Sequence, residues 1–195
     1  MKLSDEIKRK MFHHLALIYM AIYCLLPRKI SLCLLGIWMV VVLVTEFLRL
    51  RRPELNAYFL KRFGDLYRPS EICEPSAVLW MILGVWFTML IFTNPRIILP
   101  AIGFLIFGDA AAALVGKKYG TRPLPLNSSK TYEGSLVFFV VSLIWSLFFL
   151  RWPVAILGSI WGAWVEAKQW KWNDNLMIPL MSAAGLSILN LVLGR

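Results

Sequence analysis

Acidic side chains are scarce in this chain, eleven in 195 residues, and one of them lies in an unusual place. Asp109 falls in Gly108-Asp109-Ala110-Ala111-Ala112-Ala113, inside a long apolar run. A carboxylate in hydrocarbon is costly, so it marks either a functional site or a charge pair joining two helices. Its small neighbours let other groups approach it closely. Downstream come Gly116-Lys117-Lys118-Tyr119-Gly120, then Arg122, Pro123 and Pro125, then Asn127-Ser128-Ser129-Lys130-Thr131-Tyr132-Glu133-Gly134-Ser135. Bare backbone N–H groups, hydroxyls and ammonium charges are what binds a phosphate. No Gly-x4-Gly-Lys-[Ser/Thr] loop occurs. A basic loop between apolar segments is also an orientation signal, and on composition both readings stand.

More carboxylates follow. Glu133 closes this loop, Glu166 ends a later apolar run, and Asp174-Asn175 opens the last one. Several carboxylates and an amide beside a phosphate site suit Mg²⁺, a hard cation that seeks oxygen and offsets charge in phosphoryl transfer. The plain alternative for Glu166 and Asp174 is a solvated helix end. Near the N-terminus, Arg9 and Lys10 precede Met11-Phe12-His13-His14. Arg can clasp a phosphate bidentately and Lys can act as a point charge, or both can anchor a helix at the membrane surface. Neither histidine is assigned as a base. Glu46 and Arg49 are three apart, so they are expected to pair on one helix as a structural link.

The elements that must position these groups follow from composition. The chain is 59% hydrophobic and only 16% charged, too few charges to cover a soluble domain, and its 14% aromatic content excludes a solvated coil. The expected class is an all-α integral membrane protein, a single domain over residues 1–195, with a bundle of about seven transmembrane helices. The candidate spans are about 11–26, 30–48, 76–93, 95–116, 134–150, 153–167 and 175–193. With these spans, sixteen of the 21 Lys and Arg residues fall on one side and five on the other. The positive-inside rule then puts the N-terminus in the cytoplasm and the C-terminus outside. The net charge of +10 is therefore read first as membrane orientation, not as a nucleic-acid surface.

Residues 53–66 are expected to form a helix lying on the inner surface, with Pro53 in its first turn. Leu55, Tyr58, Phe59, Phe63 and Leu66 make its apolar stripe. Cys24, Cys33 and Cys73 show no paired spacing and are expected to be small core hydrophobes. The N-terminal apolar run lacks a cleavage pattern and is expected to stay in the mature chain. No long repeat is present.

Taken in order, Arg9-Lys10-x-x-His13, Glu46-x-x-Arg49, Gly108-Asp109, Gly116-x3-Gly120, Lys130-Thr131-x-Glu133-Gly134-Ser135, Glu166-Ala167 and Asp174-Asn175 before Pro179 resemble the CTP-dependent lipid kinases. That family comprises dolichol or polyprenol kinases, phytol kinases and CTP-using diacylglycerol kinases, with phosphatidate cytidylyltransferases as wider relatives. The Lys130–Ser135 block, about twenty residues after Gly108-Asp109, is the specific part. The resemblance implies a multi-pass enzyme of the cell membrane with its nucleotide site facing the cytoplasm. It would transfer the γ-phosphate of CTP, with Mg²⁺, to the hydroxyl of a lipid alcohol. Asp109, Glu133 and Asp174 would be catalytic; Asp109, Glu166 and Asp174 would hold the metal. Arg9, Lys10, Gly116, Lys117, Gly120, Lys130, Thr131, Ser135 and Asn175 would bind nucleotide or phosphate. A cytidylyltransferase-like reaction, or a small non-catalytic transporter with Asp109 as an ion site, are the alternatives. The core motifs concern the nucleotide, so they leave the lipid acceptor open, and oligomeric state is not encoded in them.

Overall fold

A computed structural model describes residues 14–64, 67–125 and 127–193. Helix α1 (Ala16–Leu25) turns at Pro27 into α2 (Arg28–Arg51), and α3 (Pro53–Phe63) follows at once. A 3₁₀ turn at Pro69–Ile72 leads to α4 (Ala77–Ile91). Next comes one long helical path, α5 (Pro95–Gly103), a π-helical stretch over Phe104–Asp109, and α6 (Ala110–Tyr119). Strands β1 (Pro123–Leu124) and β2 (Asn127–Thr131) form an antiparallel hairpin that composition gave no reason to expect. Helices α7 (Tyr132–Ser146), α8 (Trp152–Ala167) and α9 (Asp174–Leu193) complete the described chain.

Among the described residues three helical paths are long and apolar enough to cross a membrane: Arg28–Arg51, Pro95–Tyr119 and Asp174–Leu193. The other apolar helices are shorter, at 10 residues for α1, 15 each for α4 and α7, and 16 for α8. The path through α5 and α6 is the centre of the bundle. Its most apolar stretch is 72% buried, against 22% for α2 at the periphery. Large apolar side chains cover the outside, among them Leu25, Phe148, Trp152, Ile188 and Leu191. An apolar exterior of this extent suits lipid and not water.

Local sequence explains the breaks. Pro100 has no N–H to give the carbonyl four residues back, and the helix relaxes into π geometry one turn later, ending at Asp109. Pro53 sits in the first turn of α3, as expected, because its missing N–H is not needed there. The apolar stripe of α3 is only partly covered by protein: Leu55 and Phe59 are half-buried, Tyr58 and Phe63 are exposed, and no residue of this helix is buried, while Leu66 lies outside the described residues. Indole N–H groups inside the bundle find backbone carbonyls, Trp145 to Leu99 at 3.1 Å and Trp161 to Met181 at 2.8 Å.

One expectation fails. Cys24, Cys33 and Cys73 are free thiols, but all three are exposed rather than packed in the core. In a lipid-facing bundle both faces of a helix are apolar, so composition alone does not separate outside from inside.

Contacts at the two ends fix the helix directions. Arg28 donates to the carbonyls of Met89 and Leu90, joining the start of α2 to the end of α4. At the opposite end Arg49 donates to the carbonyls of Glu71 and Glu74, just before α4 begins. Asn175 Nδ2 donates to the Ala77 carbonyl at 3.0 Å, so α9 and α4 start together at that same end.

Candidate functional site

The end of the bundle where α4, α7 and α9 begin and α6 and α8 finish holds a cavity of about 360 Å³. Asp109 closes the π-helical stretch there and is only 4% exposed. Glu166, in the last turn of α8, is 2% exposed. Asp174 is the first residue of α9 and stands more open. The β-hairpin drops Lys130 among them. Its Nζ lies 2.7 Å from Glu166 Oε1, 3.1 Å from Asp174 Oδ2 and 3.7 Å from Asp109 Oδ1. Ser135 Oγ donates to the other Glu166 oxygen at 2.9 Å.

Burial by itself would push the Lys130 ammonium down, but Asp109, Asp174 and Glu166, with the hydrogen bond to Glu166, outweigh it. They hold the group well above the ordinary lysine range, so Lys130 is a fixed cation.

Small residues make this placement possible. A Cβ on Gly134 would stand 2.9 Å from the Ala112 carbonyl, and one on Gly116 would stand 2.9 Å from Thr131 Oγ1. Helices α6 and α7 therefore approach closely enough to bring the hairpin over Asp109. Thr131 caps α7, its Oγ1 accepting from the Gly134 N–H at 3.2 Å. Asn173 caps α9, its Oδ1 accepting from the Asn175 N–H at 3.0 Å. Two capped helix starts thus face the cavity, and the positive end of a helix favours anions.

Of the residues singled out in the sequence, Asp109, Gly116, Lys117, Lys130, Thr131, Glu166, Asp174 and Asn175 line this one cavity. Ser135 reaches it through Glu166. Gly120 caps the end of α6, and packs against Thr131 from behind. Glu133 turns away from the cluster. Its Oε1 accepts from the Thr121 hydroxyl at 2.5 Å and from the Thr121 N–H at 3.1 Å, fastening the start of the hairpin segment to α7. Arg9 and Lys10 lie outside the described residues.

Sequence reasoning missed Arg68, which is among the residues lining the cavity, and the caps Asn173 and Thr131 as caps. Arg68 is a lone basic residue in a loop, and nothing in its neighbours marks it. The Glu46–Arg49 pair is present as expected, with Arg49 Nη2 2.9 Å from Glu46 Oε2 and no exposed surface on Arg49.

The donor set fits a divalent cation in type and charge. Three carboxylates against one ammonium leave two negative charges, and all the donors are oxygen, as Mg²⁺ requires. Among the described residues no three acidic, His or Cys side chains already enclose a single metal point. The centre of the cluster is taken by the Lys130 ammonium.

A helical bundle that is apolar outside and carries acids and bases in a cavity at one end describes a membrane enzyme acting where polar and apolar substrates meet. The relatives agree. An uncharacterized protein of Rickettsia prowazekii is 31% identical over 99% of this chain and the whole of its own. The CTP-dependent diacylglycerol kinase 1 of Saccharomyces cerevisiae is 27% identical over 92% of this chain and 72% of its own. Probable phytol kinase 2 of Glycine max is 29% identical over 59% of this chain and 40% of its own. No family model and no solved structure matches. The chain belongs to the CTP-dependent lipid kinase family.

Proposed function

We infer that this protein transfers the γ-phosphate of CTP to the hydroxyl of a membrane lipid, with diacylglycerol as the first acceptor to test. The observation that carries this reading is the convergence of Asp109, Glu166 and Asp174 on Lys130 in a cavity also lined by Arg68 and Lys117. Acids gathered with cations around them suit a triphosphate that arrives with a dication. Diacylglycerol is favoured because the diacylglycerol kinase relative matches along most of this chain, whereas the phytol kinase relative matches little more than half of it.

Asp109, Glu166 and Asp174 would hold Mg²⁺, which when bound offsets the negative charge of the phosphates. Lys130, Lys117 and Thr131 would hold phosphate oxygens, with Gly116 leaving room beside them, and Arg9 and Lys10 would join them from the N-terminal segment. Asp109 is deep enough to meet a lipid hydroxyl, and its carboxylate would accept the hydroxyl proton or steer the metal. Asn175 sets the start of α9 through Ala77, and so sets Asp174. Glu133 supports the site from outside the cavity by fastening the hairpin. Phosphoryl transfer asks mainly for positioning and charge stabilisation, and this set supplies both.

In this reading seven helices cross the cell membrane and the cavity faces the cytoplasm. The shorter helices reach across because the bilayer adapts to mismatch, and the side rich in Lys and Arg is the inner one. The lipid keeps its tails in the inner leaflet and presents only its hydroxyl.

The test is purified protein in lipid nanodiscs with γ-labelled CTP, Mg²⁺ and a panel of diacylglycerol, phytol and polyprenol. Labelled phosphatidate is the expected product. With phosphatidate added as a further acceptor, CDP-diacylglycerol with release of labelled pyrophosphate would replace the kinase reading by nucleotidyl transfer, and absence of any lipid product would remove the enzyme reading.

A further inference from the structure

The loop from Tyr67 to Ser76, which joins α3 to α4, is sewn to the end of α2 by one buried guanidinium. Arg49 Nε and Nη2 donate to the two Glu46 oxygens at 3.2 and 2.9 Å. Nη1 donates to Asn56 Oδ1 at 2.8 Å and to the Glu71 carbonyl at 3.1 Å. Nη2 also donates to the Glu74 carbonyl at 2.9 Å. A guanidinium has five N–H groups, and these are five bonds. Arg49 therefore has no donor left for a ligand. Three more links hold the loop. The Ser76 N–H donates to Glu46 Oε2 at 2.8 Å, Asn56 Nδ2 donates to the Ile72 carbonyl at 3.0 Å, and the Arg49 guanidinium lies over the Tyr67 ring at 4.9 Å.

Such a network is costly to build from buried charge and yields little stability. What it yields is position, and the loop it positions carries one cavity residue and leads directly into another. Ala77 follows Ser76 directly, and its carbonyl receives Asn175. Arg68 follows Tyr67, and its backbone N–H donates to Glu71 Oε2 at 3.3 Å while Glu71 N–H returns a bond to the Arg68 carbonyl at 2.9 Å. The Arg68 main chain is thus fixed at both groups, while the residue is exposed and is one of those that line the cavity.

We propose that Arg68 is a phosphate-binding residue of this cavity, and that the buried Glu46–Arg49 pair is the device that positions it. The proposal rests on the nucleotide reading given above and adds to it a cation on the wall formed by the α3–α4 loop. The carboxylate cluster repels the phosphates that the metal attracts, and a guanidinium there offsets that repulsion. Arg suits the task because it grips two oxygens at once.

The test uses the full-length protein in nanodiscs and compares Arg68→Ala, Arg68→Lys, Asn56→Ala and the control Lys118→Ala, whose residue lies outside the cavity against Tyr119. Arg68→Ala should raise the KM for CTP roughly tenfold, the loss of a charge-assisted pair, with kcat within about twofold. Arg68→Lys should recover part of that loss. Asn56→Ala favours its helix but removes one link to the loop and one to Arg49, so it should raise KM by roughly threefold without lowering kcat. Inhibition by inorganic tripolyphosphate should weaken with KM, and inhibition by cytidine should not. Equal KM and tripolyphosphate inhibition for Arg68→Ala and the wild type would overturn the proposal while leaving the kinase reading intact. So would an equal effect from Lys118→Ala, which would reduce Arg68 to a general charge. A wild type that binds neither CTP nor tripolyphosphate would overturn both readings.

Discussion

Removing the Lys130 ammonium should expose how the cavity balances its charge. At an effective dielectric constant of about 20, a cation at the observed 2.7, 3.1 and 3.7 Å attracts each carboxylate by about 4–6 kcal/mol. Desolvation cancels most of this, and breaking a buried pair costs about 3–5 kcal/mol in practice, chiefly through the charge left behind. Lys130→Met leaves Glu166 and Asp109, both nearly inaccessible, facing each other without a cation. We expect a loss of about 3–5 kcal/mol, read as a lower unfolding temperature in nanodiscs. Adding Glu166→Gln removes one of the stranded charges and should return part of that loss, so the double variant should be more stable than the two single losses combined. Mg²⁺ should raise the unfolding temperature of Lys130→Met more than that of the wild type, because in the variant the three acids have lost their own cation. Strict additivity of the two substitutions would refute the ion-pair argument. A Mg²⁺ response equal to that of the wild type would refute the cluster as the metal site.

Asp109→Ala should lower the rate of lipid phosphorylation by at least about a thousandfold, on the order of the larger single electrostatic losses; a near-normal rate in the nanodisc assay removes Asp109 from the chemistry. Gly134→Val should drive a side chain into the Ala112 carbonyl, separating α6 from α7. It should destabilise the protein by about 1–3 kcal/mol and depress activity further by lifting Lys130, both visible in unfolding temperature and kcat. A membrane-impermeant maleimide should label Cys73 in inside-out vesicles and spare it in right-side-out ones, since its loop belongs to the cavity end; the reverse pattern would invert the topology.

The carboxylates were legible in the sequence because intramembrane and near-membrane acids are rare, and rarity is informative in an apolar chain. Asp109, Glu166 and Asp174 lie far apart in sequence and meet at one cation. Helix alternation accounts for that meeting, since it returns the chain to one end again and again. Glu133 shares a motif with Lys130 and Ser135, but its side chain leaves the N-terminal turn of α7 toward Thr121 while those of Lys130 and Ser135 meet at Glu166. Motif membership gave no direction for a side chain. The β-hairpin was invisible for a related reason: Asn127–Thr131 is polar and short, and what makes it a strand is pairing with Pro123 and Leu124. The cysteines were misread because a hydropathy pattern reports affinity for an apolar medium and lipid satisfies it as well as a core does.

The position of Arg68 shows why residues of this kind escape sequence reading and still belong to the site. Arg49 is distinctive in sequence, three residues after Glu46 at the end of an apolar helix, yet all its donors are consumed within the protein. Arg68 is undistinguished in sequence, yet it lines the cavity. A buried cation with every donor satisfied makes geometry, and an exposed one makes contacts. The two arginines therefore predict different signatures. Substituting Arg49 by Lys keeps the charge but supplies three donors where five acceptors wait, so it should lower stability. Substituting Arg68 by Lys should leave stability unchanged and move only the affinity for phosphate. If Arg49→Lys instead left the unfolding temperature intact and weakened CTP binding directly, the guanidinium would have to leave its network to meet the nucleotide, and the loop would be a moving part of the site rather than its fixed wall.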